Sequence, residues 1–293
     1  MASLRVLQGY DRRWVETSVG RVHVLERNAN GYLPPIVLLH GLSSAGCHYV
    51  HVTRHLRATS RVVLPDLPGH GFSDVPSPLN GTTLLTGLVE SLDKVIDRPA
   101  VLAGNSLGGY TAIRYALARP EKVAGLMLVA PAGAAMCAAD LDELRRRFTL
   151  KKHSDAVKFV DNLFHERKLA RHLYAVGLRA YFSLPQTLAV LEEMQLPRLF
   201  TPEEMQSLKM PVLFIWGESE RLLPRQCLEF FQAHLPKHAR QENAAGWGHG
   251  GFLDDPKGFA TRLLRFAADI ALLERQATGR VKPATLAAGV SGP

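Results

Sequence analysis

The chain alternates short, continuous apolar runs with longer stretches in which apolar residues return at helical spacing. The runs are Ile36-Val37-Leu38-Leu39, Val62-Val63-Leu64, Ala100-Val101-Leu102-Ala103, Leu126-Met127-Leu128-Val129 and Val212-Leu213-Phe214-Ile215-Trp216. Each is too short for a core helix. Apolar character at every position suits a strand covered on both faces, as in a parallel sheet. Between the runs, residues 84–96 carry Leu84, Leu88, Leu92 and Val95 along one helical stripe, and residues 107–119 are rich in Ala and Leu and stop before Pro120. Strand alternating with helix predicts an α/β fold whose central sheet is mostly parallel, with right-handed crossovers. Near the start, Val22 and Val24 alternate with polar neighbours after Gly20, which predicts a hairpin with Trp14 on its first strand.

The alternation breaks between Gly133 and Lys209. There Val157, Val160 and Phe164, then Leu173, Val176 and Tyr181, then Leu188, Leu191 and Met194 recur at helical spacing without a buried strand. The expected organisation is a core domain of residues 1–132 and 209–273, with a helical cap of residues 133–208 inserted after the sixth strand. Residues 274–293, mostly Ala, Gly, Arg, Pro and Ser without period, are expected to form a flexible tail. The cap aromatics Phe159, Phe164, Tyr181 and Phe182 are expected to set substrate preference.

Composition narrows the class. A chain of 293 residues with 46% hydrophobic residues is neither disordered nor fibrous. Lys and Arg number 35 against 27 Asp and Glu, a formal charge of +8, which permits a polyanionic partner. The basic residues are scattered, with knots at Arg145-Arg146-Arg147 and Lys151-Lys152, and no nucleic-acid-binding motif accompanies them, so no nucleic acid is expected. Cys47, Cys137 and Cys227 are far apart and form no C-x-x-C pair, which argues against a disulfide framework or a zinc site and for a reducing, cytoplasmic setting. Residues 1–14 lack the apolar segment and cleavage site of a secretory signal. The most apolar stretch, residues 124–139, is interrupted by Pro131 and is shorter than the roughly 20 residues of a bilayer crossing. No transmembrane segment is expected; peripheral membrane contact and oligomeric state stay open.

The sharpest chemical signal is Gly104-Asn105-Ser106-Leu107-Gly108-Gly109, directly after an apolar run and directly before a helical stretch. That is the strand–turn–helix setting of a nucleophile elbow, which lifts a serine hydroxyl above the sheet beside free N–H groups of a helix start. Serine is a weak nucleophile and needs a base. Of twelve histidines, His249 lies late in the chain in Gly246-Trp247-Gly248-His249-Gly250-Gly251. The order Ser, acid, His is one known arrangement of a triad. The acid belongs just past a strand end, where Trp216-Gly217-Glu218-Ser219-Glu220 offers two glutamates that composition does not separate.

Four blocks together resemble the α/β-hydrolase superfamily, serine esterase or lipase type: His40-Gly41-Leu42-Ser43-Ser44, Asp66-Leu67-Pro68-Gly69-His70-Gly71-Phe72-Ser73-Asp74, the elbow, and Gly248-His249. The resemblance spans the chain except its tail. It implies an α/β-hydrolase fold and no cofactor or metal. In the family the strand after the cap ends in Trp-Gly-x-x-Asp-x-x-x-Pro; here Glu220 stands at the Asp position with Pro224 in register, so the resemblance implies Glu220 as the acid, with Glu218 as runner-up. It also implies an oxyanion hole from the backbone N–H groups of Leu42 and Leu107, structural roles for His40 and His70, and a turn held by Asp66 and Asp74. A serine at the elbow argues against the related haloalkane dehalogenases and epoxide hydrolases, whose nucleophile is Asp. The implied activity is hydrolysis of a small-molecule carboxylic ester through an acyl-enzyme. Pro131-Ala132-Gly133 and Thr201-Pro202-Glu203-Glu204-Met205 are similar to the monoacylglycerol-lipase-like branch, which implies an apolar, medium or long acyl group. Alternatives are a carbon–carbon bond hydrolase of the meta-cleavage type, a perhydrolase or thioesterase, and an inactive hydrolase-fold binding protein.

Overall fold

The computed structural model describes residues 9–29, 31–56, 59–193, 195 and 198–277. Eight strands form one sheet: β1 (Asp11–Thr17), β2 (Gly20–Arg27), β3 (Ile36–Leu39), β4 (Val62–Pro65), β5 (Ala100–Asn105), β6 (Val123–Val129), β7 (Val212–Gly217) and β8 (Arg240–Ala244). Their spatial order is β1-β2-β4-β3-β5-β6-β7-β8. β1 and β2 form the expected hairpin, β2 runs antiparallel to β4, and every later pairing is parallel. The fold is the α/β-hydrolase architecture that the apolar runs and motif blocks predict.

The helices are α1 (Val50–Thr53), α2 (Gly81–Val95), α3 (Leu107–Ala118), α4 (Ala138–Arg147), α5 (His153–Leu163), α6 (Arg171–Phe182), α7 (Pro185–Glu192), α8 (Pro202–Gln206), α9 (Arg225–His234), α10 (Gly251–Asp254) and α11 (Pro256–Ala277). α2 starts three residues ahead of its apolar stripe because Asn80 caps it. The Asn80 side chain accepts from the Thr83 N–H at 2.9 Å, and the Thr83 hydroxyl accepts from the Asn80 N–H at 3.0 Å. α11 runs to Ala277, four residues past the expected end of the core at residue 273. Its last turn carries Glu274 and Arg275, so apolar content fell while the helix continued. Residues 278–293, and Met194 of the third helical pattern, lie outside the described residues.

Strand residues alternate between two cores, as a period of two requires. Val37, Leu39, Leu102, Leu128 and Phe214 face one, with α2 and α3. Ile36, Leu38, Ala103, Met127 and Ile215 face the other, with Val52 of α1 and Phe259, Leu263 and Phe266 of α11. β8 has no apolar run. Residues 240–243 are exposed and only Ala244 is buried, because β8 is an edge strand whose charged side chains face water.

Among the described residues five α-helices, α4 to α8, separate β6 from β7. Phe148, Phe159 and Phe182 pack together with ring centroids 5.5, 6.1 and 5.2 Å apart and join the first core.

Candidate active site

The strand order reverses about β3, which lies between β4 and β5, and parallel strands on either side leave a crevice beyond their carboxyl ends. Leu39 of β3 is paired with Gly104 of β5, so Leu42 and Ser106 follow neighbouring strand ends. Glu220 follows β7, and His249 follows β8. Leu42, Ser106, Glu220 and His249 therefore leave the sheet at one end.

Ser106 holds φ 56° and ψ −120° between β5 and α3. A positive φ at a residue with a side chain costs on the order of 1–3 kcal/mol and persists only where the surroundings enforce it. Two glycines allow the turn to close so tightly. A Cβ at Gly108 would lie 1.9 Å from the Leu39 carbonyl oxygen, and one at Gly104 would lie 2.3 Å from the Gly108 carbonyl oxygen. The Ser106 N–H donates to the Val129 carbonyl at 3.2 Å, and its own carbonyl accepts from Tyr110 and Ala132 at 3.0 Å each.

The His249 Nδ1–H donates to Glu220 Oε2 at 2.7 Å. The side chains are almost and wholly buried, at 5% and 0% exposure. Glu220 Oε1 accepts from the backbone N–H groups of Leu222 at 2.7 Å and Leu223 at 3.0 Å. A carboxylate can only accept, so it holds the neutral imidazole in the tautomer with an unprotonated Nε2. Glu218 is exposed and meets only the Gly246 N–H, at 3.4 Å. Of the two glutamates, Glu220 is thus the one joined to His249. After β6 come Ala130, Pro131, Ala132 and Gly133, which offer no carboxylate.

Two residues that sequence reasoning did not single out tie the histidine loop down. Asn105 Nδ2 donates to the His249 carbonyl at 2.8 Å and to the Val129 carbonyl at 3.0 Å, linking the elbow to that loop. Asp254, five residues beyond His249, accepts from Gly248 N–H at 2.8 Å and from His165 N–H at 3.1 Å. An acidic residue one turn past a Gly-rich histidine loop was the only available signal.

Gly41 packs directly on the elbow: a Cβ there would lie 3.4 Å from the Ser106 Cβ. Leu42, Ser106 and Leu107 together line a cavity of about 950 Å³, its open mouth included. Its wall is chiefly apolar and includes Met136, Leu141, Leu144, Phe148, Val190 and Leu223. Glu193 and Arg198, paired at 2.8 Å, form part of a polar stretch. Leu107 opens α3, so its N–H has no acceptor within the helix. His249 and Glu220 are not part of this wall. Nor are Phe159, Phe164, Tyr181 and Phe182, the aromatics expected to set substrate preference. Phe159 and Phe182 fill the interior of the insert instead, and Phe148 is the aromatic residue of α4–α8 that reaches the cavity.

The remaining motif residues support the loops. Asp66 accepts from Gly46 N–H at 2.7 Å, Phe72 N–H at 2.9 Å and His23 Nδ1 at 2.9 Å. Burial raises its pKa, but these donors and the nearby imidazoles outweigh that and leave it below the ordinary carboxylate value. Asp74 accepts from the Arg21 N–H and guanidinium at 2.9 and 3.0 Å. Both close the turn between β4 and α2. His40 accepts from the Leu67 N–H on Nε2 at 2.9 Å and bonds the Gly41 carbonyl through Nδ1 at 2.8 Å. Burial, then the neighbouring His70, pushes its pKa down to about 3, so it is neutral scaffolding. His70 is likewise buried, with its pKa lowered by burial.

The model of the alpha/beta hydrolase family matches residues 36–262, which include the elbow, the insert, Glu220 and His249. The chain belongs to the alpha/beta hydrolase family. Among the relatives of this hydrolase is the pimeloyl-(acyl-carrier protein) methyl ester esterase of Xanthomonas oryzae pv. oryzae (strain MAFF 311018). It is 31% identical over 257 residues, covering 82% of this chain and 97% of the relative. The enzyme of the same name from Nitrosomonas europaea is 30% identical over 254 residues, with 82% and 97% covered. The hydrolase also shares its fold with naproxen esterase from Bacillus subtilis: TM-score 0.74, 22% identity, 90% of this chain and 94% of that one. A 2-hydroxy-6-oxo-6-phenylhexa-2,4-dienoate hydrolase from Rhodococcus sp. strain RHA1 superposes with TM-score 0.73 at 19% identity, covering 88% and 98%.

Proposed function

We propose that this alpha/beta hydrolase cleaves carboxylic esters through an acyl-enzyme formed on Ser106. The observation that carries the reading is the buried 2.7 Å bond between His249 and Glu220, on a loop that Asn105 ties to the serine elbow. Ser106 Oγ attacks the ester carbonyl carbon while His249 Nε2 takes the hydroxyl proton. Glu220 stabilises the imidazolium that results. The N–H groups of Leu42 and Leu107 receive the developing oxyanion. As the C–O bond to the alcohol breaks, His249 returns the proton to the departing oxygen. Water then attacks the acyl-enzyme, again with His249 as base, and the acid and free Ser106 are released.

The apolar wall at Leu141, Leu144, Phe148 and Val190 favours an acyl group of medium or long chain, in keeping with the lipase-like branch. The activity named for the curated relatives, on a methyl ester, adds support for a small alcohol as leaving group. Helices α4 and α7 act here as the cap that shapes the acyl site.

The test is a chain-length series of p-nitrophenyl and methyl esters, run beside labelling with an active-site phosphonate. Ser106→Ala is expected to lose labelling and on the order of 10⁴-fold of kcat while melting as the wild type does. A purified Ser106→Ala protein retaining a tenth of the activity ends the proposal. Wild-type protein that neither labels nor hydrolyses any ester identifies an inactive binding protein.

A further inference from the structure

Helix α6 is apolar on both sides. Its inner side buries Ala175 and Phe182 and brings the Tyr181 ring to 6.5 Å from His70. At 100° per residue, Leu173, Val176, Gly177 and Ala180 occupy the opposite arc, roughly 100° wide, and Leu184 extends it. None of these outer residues is charged, and all lie in solvent, with Leu173 72% and Val176 59% exposed. Leu169, fully exposed, precedes the stripe. Leu188, on the side of α7 away from the cavity-lining Val190, follows it. A helix apolar on two opposite faces is ordinarily covered on both.

The charge along this stripe is positive, with acids only at its two ends. Residues 167–191 contain Arg167, Lys168, Arg171 and Arg179, and the exposed acids Glu166 and Glu192 stand just before and just after this segment. Arg167 and Arg171 reach back to Asp161 at 3.6 and 3.3 Å, and Lys168 toward Asp254 at 3.8 Å. Arg179 and His172 stand exposed along one flank of the stripe. Lys151, Lys152 and Lys158 add exposed cations on the preceding segment.

We propose that the outer face of α6, continued by Leu169, Leu184 and Leu188, docks on an anionic phospholipid surface. A one-helix-wide apolar strip with cationic flanks and acids only beyond its ends is the chemistry of a helix lying in the plane of a membrane interface. Leu173 and Val176 would enter the boundary between headgroups and acyl chains, and Arg179 and its neighbours would meet the phosphates. Contact would be peripheral, since among the described residues no helix is long and apolar enough to cross a membrane. A small acidic protein would be drawn by the same cations, but it would leave the apolar strip without a use. The proposal does not require the ester-hydrolase reading, because binding is measured without turnover.

The experiment is co-sedimentation of the full chain with vesicles of neutral phosphatidylcholine, alone or mixed equally with phosphatidylglycerol. Wild type is expected to bind the mixed vesicles, to bind neutral ones at least tenfold more weakly, and to weaken as salt is raised. Leu173→Glu/Val176→Glu is expected to lose at least tenfold in binding, and Arg179→Glu severalfold. Both should melt and hydrolyse a short soluble ester as wild type does, since the changed side chains face solvent. No wild-type binding at low salt overturns the proposal, as does equal binding by the double variant. Binding to a small acidic protein but not to vesicles also overturns it. So does a dimer that the double variant dissociates while vesicles are ignored.

Discussion

Replacing Glu220 by Gln tests the proposed mechanism where the structure is most specific. Both carboxylate oxygens are engaged, Oε1 by the Leu222 and Leu223 N–H groups and Oε2 by His249 Nδ1. A glutamine has one acceptor oxygen and one NH₂ donor. Two fixed backbone donors hold the oxygen on their side, since an NH₂ there would face two N–H groups. The NH₂ is then turned toward His249 Nδ1, which must become the acceptor, and the ring proton moves to Nε2. In that tautomer His249 cannot take the Ser106 proton. The amide also cannot stabilise an imidazolium. Loss of an equivalent acid in serine proteases lowers kcat by about 10⁴ with the geometry intact. The same factor here corresponds to about 5.5 kcal/mol of transition-state stabilisation. Because the backbone bonds survive, the melting temperature should change little. Glu220→Asp, one methylene shorter, cannot reach His249 and both N–H groups together, and is expected to keep partial activity. Glu218→Gln, whose carboxylate is exposed, is expected to stay within about threefold of wild type by the surface-site rule. The assay is kcat for the three variants on one activated ester, with thermal melting as the fold control. A Glu220→Gln enzyme with more than a tenth of wild-type kcat refutes the tautomer argument, and a crippled Glu218→Gln points to the other glutamate.

The buried, neutral His40 makes stability fall with acid. Its folded pKa is depressed, so only the unfolded chain takes up a proton as pH drops from about 6.5 toward about 3, and the loss between pH 7 and 5 is about 2 kcal/mol from this group; urea titrations of wild type and His40→Asn should show a shallower slope in the variant, and equal slopes reject the assignment. Cys227 is buried against the cavity, and burial, then Glu220, pushes its thiol up to about 12. Iodoacetamide at pH 8 should therefore label the exposed Cys137 first and spare Cys227 until the protein unfolds, as peptide mass spectrometry would read out. Met136 lines the cavity while partly buried, so Met136→Trp should lower hydrolysis of an octanoate ester at least tenfold relative to acetate, and equal losses on both would indicate general damage instead.

What could be read from the chain follows from where side chains have no freedom. Strands β3 to β7 are buried on both faces, so each appears as an unbroken apolar run. β8 is an edge strand with four exposed residues, and its segment looks like any polar loop. The elbow was legible because Gly104 and Gly108 stand where a Cβ would strike backbone oxygens. Which glutamate bonds His249 was open in composition, because Glu218 and Glu220 are alike until the loop after β7 folds one inward and the other outward. The insert was legible as helices but not as surfaces. α6 is apolar on both arcs, and periodicity does not say which arc is inside. That same ambiguity left Phe159 and Phe182 as candidates for substrate contact, whereas Phe148 and Val190 are the residues that line the cavity beside Ser106.

The support of His249 shows why an insert of separate helices belongs to this site energetically and not only by position. Asn105 holds the histidine loop from the elbow side. From the other side, Asp254 accepts one N–H from that loop, at Gly248, and another from the insert, at His165. The Gly250 N–H donates to the Leu163 carbonyl at 3.1 Å, His165 Nδ1 meets the Ser219 hydroxyl at 2.8 Å, and Arg221 donates to the Phe164 carbonyl at 2.6 Å. These bonds join the end of α5 to the loops that carry both Glu220 and His249. The packing leaves no slack, since a Cβ at Gly248 would lie 2.6 Å from the Phe164 carbonyl carbon. A buried carboxylate stripped of one of two backbone donors loses roughly 1.5–3 kcal/mol of charge-assisted bonding. Displacing the segment around His165 therefore loads that cost on the very loop whose position sets the His249–Glu220 bond. Any motion of the insert that spares the His249–Glu220 bond has to leave residues 163–165 in place and occur beyond them, in the helices that carry Leu173, Val176 and Val190.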